Sequence, residues 1–424
     1  MNSSENKNKT NLKKKFHNVG DKKFKSDKKN KFKDAKDIDG AMETAAYYGF
    51  IPIEPPAMGK SDFDNAKILT EKEPLCKNIV SHPLEISVEE KSSLLRFYAD
   101  NNLIAEPQPI MISYHGNAAS SKQKNPSIKE SFLNLQILGS SKSVSEAILI
   151  KTVLSILSDN KIDDVRVDIN SIGDRESTNK FVRELAGYYR KNINGMTSHC
   201  RQLFKKDPFS LLECDREECC RALNEEAPKA ISFLSEPSRQ HFKEVLEGLE
   251  ALDIPYRIND SLVPDRRHCS QTVFEIMRGA ENRKEVIASG GRYDGLAKKI
   301  GLKKDISAIG IKIFLKKLLY NAATSSKIKP PAFFFIQLGF EAKLKGLHII
   351  EKLRKARISI CQSLSRDMLG GQIALAEKMR VPYALIMGKK ESMDNTVMVR
   401  NMNTRSQEIV STENLSAHLK RLKK

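Results

Sequence analysis

The chain has 424 residues, of which 40% are apolar and none is Trp, so it can bury two or three domain cores. No run of about 18 apolar residues could span a bilayer, and the N-terminus lacks the apolar segment of a secretory signal. These features exclude a membrane protein and predict a cytoplasmic, multidomain one. Seven cysteines, an odd number in so long a chain, favour reduced thiols over a disulfide framework.

The net charge is +19, and clustered lysines usually attract a polyanion such as RNA. Residues 1–40 hold thirteen lysines against six carboxylates, interleaved with Asn and Ser. Such a stretch cannot bury enough apolar surface to fold, so we predict a disordered Lys-rich arm over residues 1–38. Two interpretations stay open for this arm: a solubilising tail without a specific partner, and a sequence-independent contact with phosphates.

The body of the chain begins with AAYYGFIPI, which runs from a helix end into a β-prone segment. Ser143 and Glu146 have the spacing of a capping box and predict a helix over 143–159. An alternating strand, VRVDINSIGD, follows, and residues 181–252 are mostly helical by their apolar period. Then ALDIPYRIND, TVFEIM and EVIASGG predict three successive strands, which is typical of an antiparallel sheet.

Small polar residues and prolines mark residues 320–330 as a linker. Beyond it, the strands FFFIQLG, ISICQSL and YALIMG alternate with helices of about 12 residues. The segment TVMVRNM adds a further strand, and a short helix closes the chain. This alternation predicts an α/β unit with a mostly parallel sheet.

Several motifs in one order carry a resemblance to a known family. ASGGRYDGLAKKI, with LVPDRRHCSQTVFEI upstream of it, is followed by LGGQIALAEKMRVPYALIMG near the C-terminus. Together with NSIGD and LLECDREEC, these segments resemble histidyl-tRNA synthetases over residues 38–424. The resemblance implies a class II antiparallel core, an inserted helical segment, a C-terminal anticodon-binding domain and a homodimer.

The expected fold is therefore α+β, with a class II synthetase-like antiparallel core and a C-terminal α/β domain of anticodon-binding type. We place the core at residues 39–319, with a helical insertion at about 176–252. The linker occupies 320–330, and the anticodon-binding-like domain occupies 331–424.

In the reaction that the resemblance implies, a carboxylate attacks the α-phosphorus of ATP. Arginines suit this site because a guanidinium stays charged and offers a planar fork of donors to phosphate. Aligned on Gly139, the family's second-motif loop keeps lysines at three positions but none of its arginines. The positions where the family has arginines carry Ala118, Ser121, Pro126 and Ile128.

The other signatures are also altered. Pro264 stands where the histidine-specific signature has an arginine, although Arg266, two residues on, could supply the missing charge. The third motif has Phe314 for a glycine and Lys317 for an arginine. Arg266 and Lys317 are thus the two candidate compensating catalytic residues.

The pocket for the amino acid retains some family positions. Gln136 stands where the family has a carboxylate for the substrate ammonium, and Glu89 is a candidate for its other acidic position. The segment GGRYDG is intact, which adds Gly290, Gly291, Arg292 and Tyr293 to the remnant pocket. Its glycines either permit close approach of a ligand or meet a need of the sheet itself.

Two clusters of metal-ligating or nucleophilic residue types were weighed and set aside. The spacing of the cysteines and histidines between positions 199 and 220 does not match a zinc site, so we predict no metal. His268 and Cys269 are sequence neighbours and would point to opposite faces of a strand, so we predict a surface loop rather than a nucleophile with its base.

Two functions compete. The first is a non-catalytic synthetase paralog that binds tRNA, another RNA or a partner protein and needs no cofactor. The alternative is a divergent but active histidine–tRNA ligase, which would use ATP and Mg. We favour the first, because the loss of each missing group would cost about 2 to 4 kcal/mol of transition-state stabilisation. The predicted RNA-binding residues are Lys345, Arg354, Arg366, Lys378 and Arg380.

Overall fold

The computed structural model describes residues 40–72, 85–117, 131–212, 218–279, 285–315, 331–363 and 368–422. The predicted arm, the predicted linker and the second-motif loop at 118–130 lie outside these residues. Two sheets organise the described part of the chain, one of eight strands and one of five.

The eight-stranded sheet has the strand order β1-β2-β3-β8-β7-β6-β4-β5. Its six central strands are antiparallel, as predicted, whereas the short edge strands β1 and β5 run parallel to β2 and β4. The sheet is therefore mixed at its edges. The strands are β1 (Ile51–Pro52), β2 (Ile110–Asn117), β3 (Ser131–Leu138), β4 (Val165–Gly173), β5 (Tyr256–Ile258), β6 (Ser270–Arg278), β7 (Glu285–Arg292) and β8 (Ala308–Leu315).

Helices cover this sheet because their apolar faces match its buried side chains. They are α1 (Gly40–Tyr47), α2 (Lys60–Lys72), α3 (Val88–Asp100), α4 (Val144–Asp159) and the short α10 (Leu296–Lys299). The helix α4 is buried along nearly its whole length against β3, β4 and β8, so it forms the centre of the core.

The predicted helical insertion forms α5 (Arg175–Lys191), α6 (Ser198–Lys206), α7 (Phe209–Leu212), α8 (Glu218–Glu225) and α9 (Glu236–Ala251). Phe181, Leu185 and Tyr189 of α5 pack in a separate small core with Phe209. The cysteines were predicted to be reduced, and this is wrong for Cys200, which is disulfide-bonded in the same core. Cys269 and Cys361 are free thiols.

The predicted capping box of α4 is wrong. Ser143 makes no capping hydrogen bond, and its hydroxyl instead donates to Glu244 at 2.6 Å. Glu146 turns inward to a buried arginine, which is a stronger partner than a backbone N–H. A complete capping box is found at the start of α3, where Ser87 and Glu90 bond reciprocally to each other's backbone N–H.

The five-stranded sheet has the order β10-β9-β11-β12-β13. Its first three strands are parallel, as predicted, and β12 and β13 add antiparallel hairpin strands. The elements are β9 (Phe333–Gln337), α11 (Phe340–Lys355), β10 (Ile360–Gln362), α12 (Leu369–Lys378), β11 (Tyr383–Met387), α13 (Lys389–Asp394), β12 (Thr396–Asn401), β13 (Gln407–Ser411) and α14 (Leu415–Leu422).

Helix α11 packs against α4 and joins the two sheets through one polar cluster. Glu351 accepts hydrogen bonds from the Tyr48 hydroxyl at 2.6 Å and the Ser155 hydroxyl at 3.2 Å. Arg354 donates to Glu351 at 2.7 Å and, from the same guanidinium, to Asp159 at 2.7 Å. This interface therefore depends on a carboxylate and a guanidinium that share several partners.

No helix within the described part of the chain is both long enough and apolar enough to cross a membrane.

The Glu351 cluster gives a prediction about acid stability. Burial alone would raise the pKa of Glu351, but Arg354 and Tyr48 outweigh it and lower the pKa to about 2. A depressed folded-state pKa stabilises the fold above the unfolded-state pKa of about 4.3 and loses that contribution as pH falls toward 2. We expect Glu351→Gln to lower the free energy of unfolding at neutral pH by only on the order of 1 kcal/mol, because the carboxylate is still partly exposed and solvent screens its charge.

Urea denaturation across the acid range measures this difference. It should shrink between about pH 5 and pH 2, while Glu341→Gln, at an exposed position of the same helix, should change little. A Glu351→Gln deficit that stays constant with pH would show that the carboxylate charge does not stabilise the interface.

Candidate functional site

The predicted site residue Arg292 lies at the end of β7 and is fully buried, with 0% exposure. Its guanidinium makes a bidentate ion pair with Glu146 of α4, at 2.9 Å and 2.7 Å. It also donates to the carbonyl oxygens of Ser140 and Lys142, at 2.8 Å and 3.3 Å. All of these partners belong to the turn before α4 and its first turn, so Arg292 clamps that turn to the sheet.

The charge of this buried pair is compensated within the protein. Burial would raise the pKa of Glu146, but Arg292 and His241 lower it below its ordinary value. The imidazole Nε2 of His241, on α9, lies 2.7 Å from the same carboxylate. Arg292 therefore has no open donor fork directed at a ligand in this arrangement; its hydrogen bonds hold β7, α4 and α9 together.

The glycines of the same segment meet neighbouring strands closely. A Cβ on Gly290 would lie 2.5 Å from the carbonyl oxygen of Gly310, and one on Gly291 would lie 2.9 Å from that of Thr272. Neither backbone could shift without breaking the ladder with β8 or β6. Of the two interpretations left open above, the requirement of the sheet accounts for both glycines.

Gln136 occupies the middle of β3 and is fully buried. Its amide oxygen accepts a hydrogen bond from the hydroxyl of Tyr293 at 2.9 Å. The side chain lies over Gly310, where an added Cβ would come within 1.9 Å of the amide oxygen. Gln136 and Tyr293 thus come together as predicted, on the face of the sheet that α3 covers.

Two lysines that sequence reasoning missed enter the same region. Lys91 of α3 is only 4% exposed, and its ammonium lies 2.9 Å from Nδ1 of His268, 3.2 Å from Sγ of Cys269 and 5.5 Å from the centre of the Tyr293 ring. Lys312 of β8 is 6% exposed. It donates to Glu90 at 2.8 Å and lies 5.4 Å from the centre of the Phe132 ring.

These contacts place a buried, internally paired cluster of cations and polar groups between α3 and the sheet. Lys91 lies over the ring of Tyr293, whose hydroxyl donates to Gln136, and Lys312 lies over the ring of Phe132. The carboxylate that pairs with Lys312 is that of Glu90. The predicted Glu89 is the preceding residue of the same helix and is half buried.

Comparison with known proteins identifies the scaffold. Residues 334–422 match the family model for an anticodon binding domain. A histidine–tRNA ligase of Caldicellulosiruptor bescii is 28% identical over 339 residues, which cover 78% of this chain and 80% of the relative. That of Natranaerobius thermophilus is 23% identical over 398 residues, or 90% and 93% of the two chains. Over most of its length, the chain is similar to histidine–tRNA ligases.

The solved structure of an apo histidyl-tRNA synthetase from S. aureus aligns with 89% of this chain and 92% of its own, at 20% identity and a TM-score of 0.48.

The histidyl-tRNA synthetase signature around Pro264 does not form a strand in this chain. Residues 265–269 form a turn, in which the backbone N–H groups of His268 and Cys269 both donate to the carbonyl oxygen of Asp265. Strand β6 begins only at Ser270. The prediction that His268 and Cys269 lie in a surface loop with diverging side chains is therefore wrong: His268 is 5% exposed, and its Nδ1 lies 3.3 Å from the Cys269 sulfur.

The turn also changes the position of Arg266. Its guanidinium donates to Asp207 at 2.8 Å and lies 5.3 Å from the centre of the Phe209 ring, both in the helical insertion. The other predicted compensating residue, Lys317, lies outside the described residues. Phe314, predicted to open a helix, lies in β8 and pairs with Phe132, at 5.6 Å between ring centres.

The predicted RNA-binding residues divide into two groups. Lys378 and Arg380 are exposed at the end of α12. Lys345 donates to the carbonyl oxygen of Ser392, and Arg354 is 10% exposed within the interface cluster described above. Arg366 lies outside the described residues.

Two features of the sequence could have identified the missed residues. Ser87 and Glu90 have the S-x-x-E spacing of a capping box, which fixes Glu90 in the first turn of α3. Lys91 stands three and four residues before Leu94 and Leu95, so it lies on the apolar face of that helix. A lysine on such a face needs a buried partner.

The Arg292 clamp gives a stability prediction. Removing one partner of a buried ion pair leaves an uncompensated charge, so Arg292→Met should destabilise the fold by about 3–5 kcal/mol, measured by urea denaturation. The double variant Arg292→Met with Glu146→Gln should lose less than the sum of the two single losses. Arg239→Met, at an exposed arginine of α9, is the matched control and should be nearly neutral. Additive losses would show that the two residues do not act as a pair.

Proposed function

We propose that this protein is a histidyl-tRNA synthetase-like RNA-binding protein that does not activate histidine. The observation that carries this proposal is Gln136, which is fully buried and whose amide oxygen accepts a hydrogen bond from Tyr293. In the chemistry of the family, a carboxylate at the Gln136 position attracts the ammonium of the amino acid. Here that carboxylate is replaced by a neutral amide.

The electrostatic consequence can be estimated. Opposite unit charges about 4 Å apart attract by about 4 kcal/mol at the effective dielectric constant of about 20 that suits protein sites. The neutral amide of Gln136 cannot supply this attraction. The ammonium groups of Lys312 and Lys91, which contact Glu90 and the Cys269 thiol, offer the substrate ammonium no counter-charge. A bound amino acid would therefore lack the attraction that the family supplies.

The retained signature supports the same proposal. Arg292 uses its guanidinium on Glu146 and on two backbone carbonyls, and Gly290 and Gly291 are needed for strand packing. Their presence in the sequence is accounted for without a substrate. The scaffold thus keeps the residues that hold the sheet together.

The alternative is the active histidine–tRNA ligase named in the relatives, with ATP and Mg as its cofactors. It requires Arg266 to supply the charge missing at Pro264. Arg266 is instead paired with Asp207 and directed at the helical insertion. For this alternative to hold, that ion pair would have to open when substrate binds.

Histidine-dependent exchange of pyrophosphate into ATP distinguishes the two functions. We expect no signal above background from the purified full-length chain, with or without tRNA, because attraction for the substrate ammonium is missing. An active histidine–tRNA ligase serves as the positive control. Exchange that disappears in Arg266→Ala but persists in Arg239→Ala would establish the ligase and overturn the proposal.

RNA binding is proposed for the C-terminal unit, residues 331–424, because residues 334–422 match an anticodon binding domain. Within it, Lys378 and Arg380 are exposed on either side of Met379, which is itself 46% exposed. Two cations flanking an apolar side chain suit an unpaired RNA loop, whose phosphates and bases are both accessible. The homodimer and the boundaries of the core at 39–319 stay predictions.

Charge reversal tests this surface. We expect Lys378→Glu with Arg380→Glu to weaken binding of tRNA to the full-length chain and to reduce the log-log salt slope by about 0.7 to 0.9 per lost phosphate contact. Lys303→Glu with Lys304→Glu, at exposed positions of the core, is the matched control. The reading as an RNA surface fails if both pairs weaken binding equally, or if wild type binds tRNA no better than a scrambled RNA of equal length at about 150 mM salt.

A further inference from the structure

The sulfur of Cys269 has no role in either proposed function. It is 3.2 Å from the ammonium of Lys91 and 3.3 Å from Nδ1 of His268. The residue is partly exposed, whereas Lys91 and His268 are almost fully buried. A thiol of a partly exposed residue thus lies against a cation that is held inside the protein.

The turn that precedes β6 fixes the imidazole. Arg267 holds Asp265 through its backbone N–H and its guanidinium, the first at 2.9 Å. Nε2 of His268 lies 3.3 Å from the same carboxylate, which holds the imidazole in place. Nδ1 faces the other way, 2.9 Å from the ammonium of Lys91 and 3.3 Å from Sγ of Cys269.

Two neighbours of the thiol can therefore stabilise a negative charge on its sulfur. The ammonium of Lys91, which has three donors, donates to Sγ of Cys269, and the imidazole of His268 contacts the same sulfur. Burial raises the pKa of the Cys269 thiol, but Lys91 and His268 outweigh it and lower the pKa below its ordinary value. Depressed pKa and partial exposure are the properties of reactive cysteines.

We propose that Cys269 is held as a thiolate by Lys91 and is a site of covalent modification by small electrophiles, hydrogen peroxide among them. His268 is a positioning residue that acts through Lys91. This inference shares Lys91 with the argument for the proposed function but does not rest on that function, because neither RNA binding nor histidine activation requires the sulfur of Cys269.

The reaction with peroxide balances as follows. The thiolate attacks one peroxide oxygen, the S–O bond forms and the O–O bond breaks. The sulfur is oxidised to a sulfenic acid and the peroxide is reduced. The departing hydroxide takes a proton from the Lys91 ammonium to give water, and the lysine regains a proton from solvent.

A metal ion is the competing occupant of this cluster. Ligand atoms of Glu85, His268 and Cys269 all lie within 4.8 Å of one another. Zinc would have to lie about 2.0 to 2.3 Å from the nitrogen and sulfur atoms. The Lys91 ammonium lies within hydrogen-bond distance of the His268 nitrogen and the Cys269 sulfur, so it already supplies a positive charge between them.

Iodoacetamide alkylation of the full-length chain, followed residue by residue with mass spectrometry, tests the proposal. We expect Cys269 to react at a rate that changes little between about pH 6.5 and pH 8.5, because it is already a thiolate. Cys361 is an internal control: it is free, and burial raises its pKa to about 12, so it should label far more slowly. The charged and titratable groups that face Cys269 and share in this profile are Lys91, His268, Asp265, Arg267, Glu85 and Tyr293.

Variants separate the cation from the general burial of the site. We expect Lys91→Met to slow alkylation of Cys269 at about pH 6.5 by about tenfold and to make the rate rise steeply with pH. Lys91→Arg should keep part of the reactivity. Lys312→Met is the matched control, because it removes the other buried lysine, which pairs with Glu90 and does not contact the sulfur. It should leave the rate unchanged.

Several results would overturn the proposal. The first is a wild-type rate that rises tenfold per pH unit, as for an ordinary thiol; this needs no variant and holds even if Lys91→Met does not fold. The second is an equal loss of rate in Lys91→Met and Lys312→Met. The third is stoichiometric zinc that survives dialysis and protects Cys269, which would assign a metal site instead. After treatment with peroxide, dimedone should label Cys269, and a failure to label it would exclude the sulfenic acid.

Discussion

The buried ion pair between Arg292 and Glu146 is the constraint on which the large sheet depends. It fixes the first turn of α4 over the end of β7, and through His241 it also fixes α9. If either partner were removed, the other would be left as a buried charge without a counter-ion, at a cost of several kcal/mol. Helix α4 in turn carries Ser155 and Asp159, which meet Glu351 and Arg354 of α11. Helix α4 therefore contacts both the eight-stranded sheet and helix α11 of the C-terminal domain.

Much of the fold could be predicted because the apolar periods are strong. The alternation of strands and helices after residue 331 predicted the parallel centre of the second sheet, and TVFEIM and EVIASGG predicted part of the antiparallel centre of the first. The third strand predicted with them, in ALDIPYRIND, is instead the edge strand β5. The short edge strands β1 and β5 could not be predicted to run parallel to their neighbours. Their pairings span two and three residues, so pairing direction is set by the path of the chain and not by the sequence of the strand.

The site was predicted less well, because its chemistry depends on directions of side chains that the sequence does not fix. Gln136 and Tyr293 were predicted to belong to one pocket, and they share a hydrogen bond. His268 and Cys269 were assigned to opposite faces on the assumption of a strand, but a turn closed on Asp265 brings both onto one lysine. Arg354 was predicted to bind RNA, but it lies in the interface with α4. The apolar period of a helix does not show which of its polar residues contact another domain.

Arg292 and Lys91 illustrate two outcomes for cations beside the same sheet. Arg292 has a carboxylate and two carbonyl oxygens that accept its hydrogen bonds, so it is a structural element. The nearest partners of Lys91 are an imidazole and a thiol, and a thiol matches an ammonium only after it loses its proton. The low polarity around Lys91 makes that loss favourable, because a buried ammonium without a counter-ion is costly. A lysine buried without a carboxylate partner therefore favours a thiolate at Cys269, which becomes its counter-ion.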